Sequence, residues 1–450
     1  MQEPSTSSES EPPKDIEGVI SRYSTHLALF RFEKAIEFSE STKKTSLNDT
    51  WPLLFNVLSQ FASAESHYFS LSFFSSKFSF RREKIHLRDT YGLIDVELKK
   101  LFDDWDLEPK AANMDYVLVF LRQFMAVVET RIKLIEFYSF LSASNWKTFT
   151  EEALKRLAEI DEALKLVFKN VIRFQQFSNL CTEVSILQKL FKTQQELLEI
   201  PVIDTVLQIK DLQENLNQWL DCVNIQEDPN QPRPFFSFAF TNKGRPASKF
   251  ALLYWLHSFQ NFLMAKINLY YYTTLTNYLP TGDFRSIITN SQPSFLQHFH
   301  AFMRRSNAQL TALIMNRMDL ADPFFDFSYH KFLKKYSPDY CKPITGVKGH
   351  FPALVYFPQE KIFEKYHPSI TSLIQESCLR GEQNDRIKYL HDDKALETFF
   401  ITHVEKRVYL VVVFDRKIAE KDPVVQSFFN EILLCLKGSQ LTHQLKFGFK

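Results

Sequence analysis

Residues 407–415 read RVYLVVVFD, and this run indicates that the chain is not helical throughout. Branched and aromatic residues fill it, as they fill buried β-strands. Three more runs share this composition: FPALVYF (351–357), RIKYLHD (386–392) and LETFFITHV (396–404). A helical pattern at about 368–378 follows the first of them, and Asp422-Pro423 is a typical helix start after 407–415. The order strand, helix, three antiparallel strands, helix predicts a small α+β sandwich.

Side chains alternate between the two faces of a strand. Val411 and Val413 are therefore predicted to face one side of the sheet, and Leu410 and Val412 the other. The predicted sandwich is compatible with the longin/roadblock type of platform that occurs in GTPase-regulating complexes. This comparison concerns the fold alone and carries no function.

Upstream of the strand-like runs, from about residue 15 to 315, apolar residues recur at helical spacing. The predicted helices lie near 15–40, 51–76, 83–104, 112–142, 148–172, 177–199, 202–223, 248–279 and 293–316. Two of them, 112–142 and 248–279, are apolar on nearly all faces, which is typical of the central helices of a bundle. The predicted fold class is mostly α, with an N-terminal multi-helix bundle followed by a small C-terminal α+β domain.

Composition shifts divide the chain into four predicted parts. The start, MQEPSTSSESEPPK, is acidic, rich in Ser and Pro, and lacks the apolar core of a signal peptide, so 1–14 is predicted to be a disordered tail. A helical bundle is predicted for 15–318 and a Pro-containing linker for 319–350. The α+β domain is predicted for 351–450.

The charge balance does not favour nucleic acid or anionic lipid as a partner. Lys and Arg total 54 against 53 Asp and Glu, whereas proteins that bind phosphate backbones usually show a basic excess. The five cysteines are far apart, which predicts reduced and mostly buried thiols in a cytosolic protein. Lys266 lies inside the most apolar helical segment, so a buried core helix is predicted there rather than a membrane span.

No motif of an enzyme or of a nucleotide site is present in the sequence. None of the nine glycines forms a dinucleotide or P-loop pattern, and no nucleophile elbow is present. The acid groups Asp103-Asp104 and Asp392-Asp393 are predicted to be solvated or capping groups. The scattered metal-ligand types are His298, His300, His330, Cys341 and His350. The sequence therefore predicts no catalytic residues, no cofactor and no metal site.

One loop is predicted to bind a partner. Residues 226–247 contain four prolines and cannot be helical throughout. Within PRPFFSFAF, the candidate contact residues are Arg233, Phe235, Phe236, Phe238 and Phe240. Four phenylalanines are costly to leave in water, so they either fold back onto the bundle or anchor in another protein. Aromatic and Arg side chains are the usual interface anchors.

Several collinear segments resemble one known family. They are WPLLFNVLSQFASAESHYFSLSFF, LYWLHSFQNFLMAKINLYYYTTL, FPALVYFPQEKI, HPSITSLI, KYLHDDKALETFFITHVEKRVYLVVVFDRK and FFNEILLCLK. Together they resemble the KICSTOR complex subunit 2 family over most of the chain. The similarity is weakest in the first 15 residues and in loops 226–247 and 320–350.

The resemblance implies a non-catalytic scaffold or adaptor subunit. Its expected partners are the other KICSTOR-type subunits: a kaptin-like protein, an FG-GAP-repeat protein and a very large scaffold protein. It implies peripheral placement at the lysosomal membrane through those partners, without direct membrane insertion and without nucleic acid. The complex would help to recruit the GATOR complex and restrain TOR complex 1 during amino-acid scarcity. A homodimer is left open.

Two other classes of function remain as alternatives. The first is direct regulation of a small GTPase through the α+β domain. The second is a lipid- or nucleic-acid-binding module, because lysines and aromatic residues interleave between Phe327 and Lys342. A linker whose rings pack on the bundle while its lysines face water explains the same pattern.

Overall fold

The computed structural model describes residues 16–45, 50–74, 86–106, 114–143, 149–168, 176–197, 202–224, 249–270, 295–318, 347–379, 386–405 and 407–447. Ten helices precede the sheet in these ranges: α1 (Ile16–Ala28), α2 (Phe32–Thr45), α3 (Thr50–Phe69), α4 (Leu87–Asp106), α5 (Met114–Ala143), α6 (Phe149–Phe168), α7 (Gln176–Glu196), α8 (Val202–Asn224), α9 (Ala251–Tyr270) and α10 (Phe295–Ser306). Helices that follow one another along the chain mostly pack side by side, and α9 also packs against α3 and α7. The predicted bundle is confirmed.

The helix predicted over 15–40 is wrong, because the chain turns between α1 and α2. Phe30 has a φ of 57°, in the left-handed region that a regular helix excludes. Its ring is buried, with its centre 5.0 Å from that of Phe69 and 5.6 Å from that of Trp219. Aromatic packing between distant segments therefore outweighs the local helical pattern.

Within the described residues the sheet has five antiparallel strands: β1 (Leu310–Met315), β2 (Ala353–Phe357), β3 (Lys388–Asp392), β4 (Glu397–Glu405) and β5 (Val408–Phe414). Their order across the sheet is β2-β1-β5-β4-β3. The four strand-like runs of the sequence correspond to β2, β3, β4 and β5. The predicted fold class, mostly helical with a C-terminal antiparallel sheet, is confirmed at this level.

The helix predicted over 293–316 is wrong in its second half. Helix α10 ends at Ser306, Asn307 has a φ of 52°, and β1 follows. All six residues of β1 are buried, so its sequence lacks the polar alternation that marks a half-exposed strand. Strand β1 falls inside the range predicted for the bundle. The division into tail, bundle, linker and α+β domain stays a prediction.

The sheet separates two apolar cores. On one face, Leu410 and Val412 belong to the main core, which extends through the bundle as far as Ile16. On the other face, Val411 and Val413 pack in an outer core with Ile370, which lies on the helix between β2 and β3. The predicted alternation along β5 is thus confirmed, and the sheet lies between two layers of helices.

In the part of the chain that the structure describes, four more helices follow β1: α11 (Val347–His350), α12 (Glu360–Leu379), α13 (Pro423–Leu436) and α14 (Ser439–Phe447). Helix α12 begins eight residues before the predicted start near 368, because Pro368 lies inside it rather than at its first turn. The start of α13 is as predicted. The Asp422 carboxylate accepts hydrogen bonds from the backbone N–H groups of Val424 and Val425.

Candidate functional site

The predicted partner-binding residues, Arg233, Phe235, Phe236, Phe238 and Phe240, lie outside the described residues. That site stays a prediction. The functional features that the structure does place are a buried polar cluster, an ion pair between bundle and sheet, and an apolar surface on α4.

The buried polar cluster joins three helices of the bundle. Arg131 of α5 donates from Nε and Nη2 to the two carboxylate oxygens of Glu65 on α3, at 2.8 and 2.9 Å. Its Nη1 lies 2.5 Å from Oε2 of Glu183 on α7. All three side chains have zero solvent exposure. The flat guanidinium thus holds α3 and α7 in one register against α5.

Three buried tyrosines complete this cluster. Tyr68 and Tyr138 donate to Oε1 of Glu183 at 2.6 and 2.8 Å, and Tyr91 donates to Oε1 of Glu65 at 2.8 Å. Burial, followed by the neighbouring Glu charges, raises the pKa of all three phenols well above the ordinary value. The hydroxyls therefore stay protonated as donors.

The charges of the cluster stabilise one another. Burial alone would lower the pKa of Arg131, but Glu65 and Glu183 raise it well above the ordinary value. The guanidinium centre also lies 4.2 Å from the ring centre of Tyr68. Because its carboxylates already accept these donors away from solvent, the cluster serves packing rather than acid–base chemistry.

A second polar contact joins the bundle to the sheet. Lys266 of α9 pairs with Oε1 of Glu405 at the end of β4, and the Tyr270 hydroxyl donates to Oε2 of the same carboxylate at 2.6 Å. Lys266 is fully buried, as predicted from its place in an apolar helix. None of the described helices is long and apolar enough to cross a membrane.

Helix α14 adds another link. The Trp255 indole N–H on α9 donates to the Leu441 carbonyl at 3.0 Å, and both side chains are buried in the main core. Helix α14 also packs against α5. An apolar core and an ion pair therefore hold the sheet against the bundle, and a buried hydrogen bond joins α14 to α9.

Helix α4 carries an exposed apolar pair next to a glycine. Leu93 and Val96 lie on one helical face and are 57% and 49% exposed. A Cβ added at Gly92 would meet no atom within 4 Å. A mid-helix glycine destabilises a helix, and no close neighbour in the described structure requires it here. We take Gly92, Leu93 and Val96 as a candidate binding surface, the α4 surface.

Gly92→Ala is expected to stabilise the isolated chain by about 0.5–1 kcal/mol, since alanine loses less backbone entropy in a helix. Chemical denaturation followed by circular dichroism measures this change. A lower midpoint would show that Gly92 has a close neighbour that the structure lacks.

The other candidate residues from the sequence are dispersed. The His298 Nδ1 lies 3.0 Å from Oε1 of Glu431. The His300 ring instead makes an edge-to-face contact with the Phe357 ring, with the ring centres 4.6 Å apart. His330 and Cys341 lie outside the described residues. Among the residues that the structure covers, no group of three or more His, Cys, Asp or Glu side chains is placed to hold a metal ion.

The acid pairs and two of the cysteines can also be placed. Asp103 and its neighbour Asp104 are exposed near the end of α4, and Asp392 accepts from the backbone N–H groups of Lys394 and Ala395 in the β3–β4 turn. The solvated and capping roles predicted for these acids are confirmed. Cys435 is partly buried but Cys181 is exposed, so the expectation of mostly buried thiols is wrong for Cys181.

Comparison with known proteins identifies the family. The family model described as KICSTOR complex C12orf66 like matches residues 9–450. KICSTOR subunit 2 of Xenopus laevis is 24% identical over 444 residues, covering 96% of this chain and 97% of that protein. KICSTOR subunit 2 of Danio rerio is 23% identical over an alignment of 460 residues that covers 100% of both chains. The resemblance found in the sequence is confirmed, and the chain belongs to the KICSTOR complex C12orf66-like family.

Proposed function

We propose that this chain is a non-catalytic scaffold or adaptor subunit of a KICSTOR-type complex. The observation that carries the proposal is the family match over residues 9–450, which includes both the bundle and the sheet. The two relatives share this full-length match and are named as subunits of that complex. A subunit that acts by binding needs the whole framework rather than one local motif.

The geometry supports a rigid framework. The buried Glu65–Arg131–Glu183 cluster fixes the register of three helices, and the Lys266–Glu405 pair fixes the sheet against the bundle. Such a framework can hold binding surfaces on the bundle and on the sheet at a fixed distance from one another. This property suits a protein that positions other proteins.

The finer role that we propose follows the same family. The chain acts at the lysosomal surface through its partners and helps to recruit the GATOR complex, so that TOR complex 1 is restrained when amino acids are scarce. The partners are a kaptin-like subunit, an FG-GAP-repeat subunit and a large scaffold protein. A five-stranded antiparallel sheet with helices on both faces supports the comparison with longin/roadblock-type platforms.

Affinity purification of the tagged full-length chain from its own cells tests this function. We expect the three other subunit types to co-purify, as identified by mass spectrometry. Leu93→Asp with Val96→Asp should reduce their recovery if the α4 surface binds one of them, while Leu166→Asp, at another exposed apolar position, is the matched control. Wild-type chain that captures none of these subunits would refute the proposed function.

The loop predicted from the sequence gives a second test. Phe235→Ala with Phe236→Ala is expected to weaken capture of the complex at least about tenfold, because truncating an interface anchor costs on the order of 2 kcal/mol. Quantitative pull-down at several chain concentrations measures the change. The melting temperature of the isolated chain should barely move, because a loop anchor adds little to the unbound fold.

The opposite pattern would contradict the loop prediction. A melting temperature lower by several degrees, with unchanged capture, would show that the two rings belong to the core of the folded chain.

A further inference from the structure

Strand β3 lies at the edge of the sheet. Among the described residues it pairs only with β4, through a register that runs from Lys388↔Ile401 to Asp392↔Glu397. Helix α12 packs over β1, β2 and β4 on the face of the sheet that carries Lys388 and Leu390, and its Ser377 hydroxyl accepts from the Lys388 ammonium at 2.9 Å. Leu390 on β3 is 45% exposed beyond that cover. An exposed edge with an apolar residue at its centre is a template for pairing with another strand.

The sequence of this edge is complementary to itself. Lys388, Leu390 and Asp392 alternate along β3 and point to one face of the sheet. In an antiparallel pair of two β3 strands related by a twofold axis at Leu390, Lys388 of each strand lies opposite Asp392 of the other. The two Leu390 side chains then meet at the centre, between two ion pairs.

The opposite face of the strand is compatible with the same arrangement. Tyr389 of each strand would lie opposite His391 of the other strand, which gives two such pairs. Aromatic pairs across neighbouring strands stabilise a sheet. Tyr389 already packs partly against the main core, and the His391 Nδ1 lies 2.9 Å from the Thr398 hydroxyl. Both rings are therefore held by their own chain.

We propose that β3 pairs with β3 of a second copy of this chain, centred on Leu390, so that two sheets join into one. Charge selects this register among the close alternatives. An axis at Tyr389 would place Leu390 opposite Lys388, and an axis at His391 would place Leu390 opposite Asp392. Only the axis at Leu390 matches both charges and buries the exposed leucine.

Charge reversal on the full-length chain tests the pairing. Lys388→Asp places two Asp–Asp contacts across the axis, and Asp392→Lys places two Lys–Lys contacts there. Each single variant is expected to raise the dimer dissociation constant at least about tenfold. The double variant restores opposite charges and should recover the dimer. Sedimentation velocity from about 1 to 100 µM measures the mass.

Mixing the two single variants gives the sharpest result. One then carries Asp at both positions and the other carries Lys at both, so we expect a heterodimer from two chains that are each monomeric alone. Formation of this heterodimer would show that the single variants are folded and that their failure to dimerise alone is due to charge. Far-UV circular dichroism of each variant checks that the helices are intact.

An uncharged substitution covers the case in which a charge reversal disturbs the β3–β4 turn. Leu390→Asn should weaken the dimer, whereas Leu434→Asn, at another exposed leucine on α13, should not. A wild-type chain that stays monomeric up to 100 µM overturns the proposal. It is also overturned if the single variants dimerise like wild type, or if the mixture gives no heterodimer.

Discussion

Arg131→Met is expected to destabilise the fold by about 3–5 kcal/mol, because it leaves the carboxylates of Glu65 and Glu183 buried without a cation. Domains are stable by only about 5–15 kcal/mol, so this one substitution removes a large fraction of the total. The hydroxyls of the neighbouring tyrosines are neutral, so they cannot replace the positive charge of the guanidinium. Denaturant unfolding followed by circular dichroism measures the loss.

Arg88→Met is the matched control. Arg88 pairs with Glu136 at 2.7 Å, but both side chains are about half exposed to solvent. An exposed pair contributes about 0–1 kcal/mol, so this variant should unfold close to wild type. If both arginine substitutions lowered the free energy of unfolding equally, burial of the cluster would not be the reason for its contribution to stability.

A triple variant separates the missing cation from the missing packing. Glu65→Gln and Glu183→Gln, added to Arg131→Met, remove the uncompensated carboxylates while their amide oxygens still accept from the tyrosines. We expect this variant to recover part of the stability lost by Arg131→Met. A further large loss would indicate that Arg131 acts through its shape rather than its charge.

Val412→Asp is expected to cost more than about 4 kcal/mol and to unfold the sheet. Val412 lies on β5 with zero exposure, in the main core between sheet and bundle. A carboxylate there has no partner and would draw water into the core. Hydrogen exchange should show loss of protection in β4, β5 and α13, while α3, α5 and α7 remain protected by their own polar cluster.

Val424→Asp places the same charge at an exposed position of α13 and should change protection little. If Val412→Asp also removes protection from α3, α5 and α7, the bundle and the sheet unfold as one unit. That outcome would contradict the predicted independence of the α+β domain.

The sequence predicted four of the five strands because their branched and aromatic runs are short and lie between turn residues. It missed β1, since six buried residues in a row lack any periodic signal, and the strand is defined only by its neighbours β2 and β5. The sequence does mark the end of α10: basic residues in its last turn are followed by Asn307, a residue type that often takes the left-handed conformation after a helix. The turn at Phe30 depends on ring packing between distant segments.

The buried polar cluster was not predictable from local patterns. Glu65, Arg131 and Glu183 are 66 and 52 residues apart along the chain, and each lies on a different helix. The signal that could have found them is a charged residue on the apolar face of a helix, as Lys266 was found. Their pairing requires the packing of three helices, which periodicity alone does not specify.

The central pair of strands joins distant parts of the polypeptide, with Leu310 of β1 opposite Val413 of β5. During synthesis at about 5–20 residues per second, β1 leaves the ribosome roughly 5–20 seconds before β5 can reach it. Strand β2, which follows sooner, pairs with the other edge of β1. The apolar segment LTALIM therefore keeps one edge unpaired until β5 has been made, and an open edge of this kind is prone to aggregation in the nascent chain.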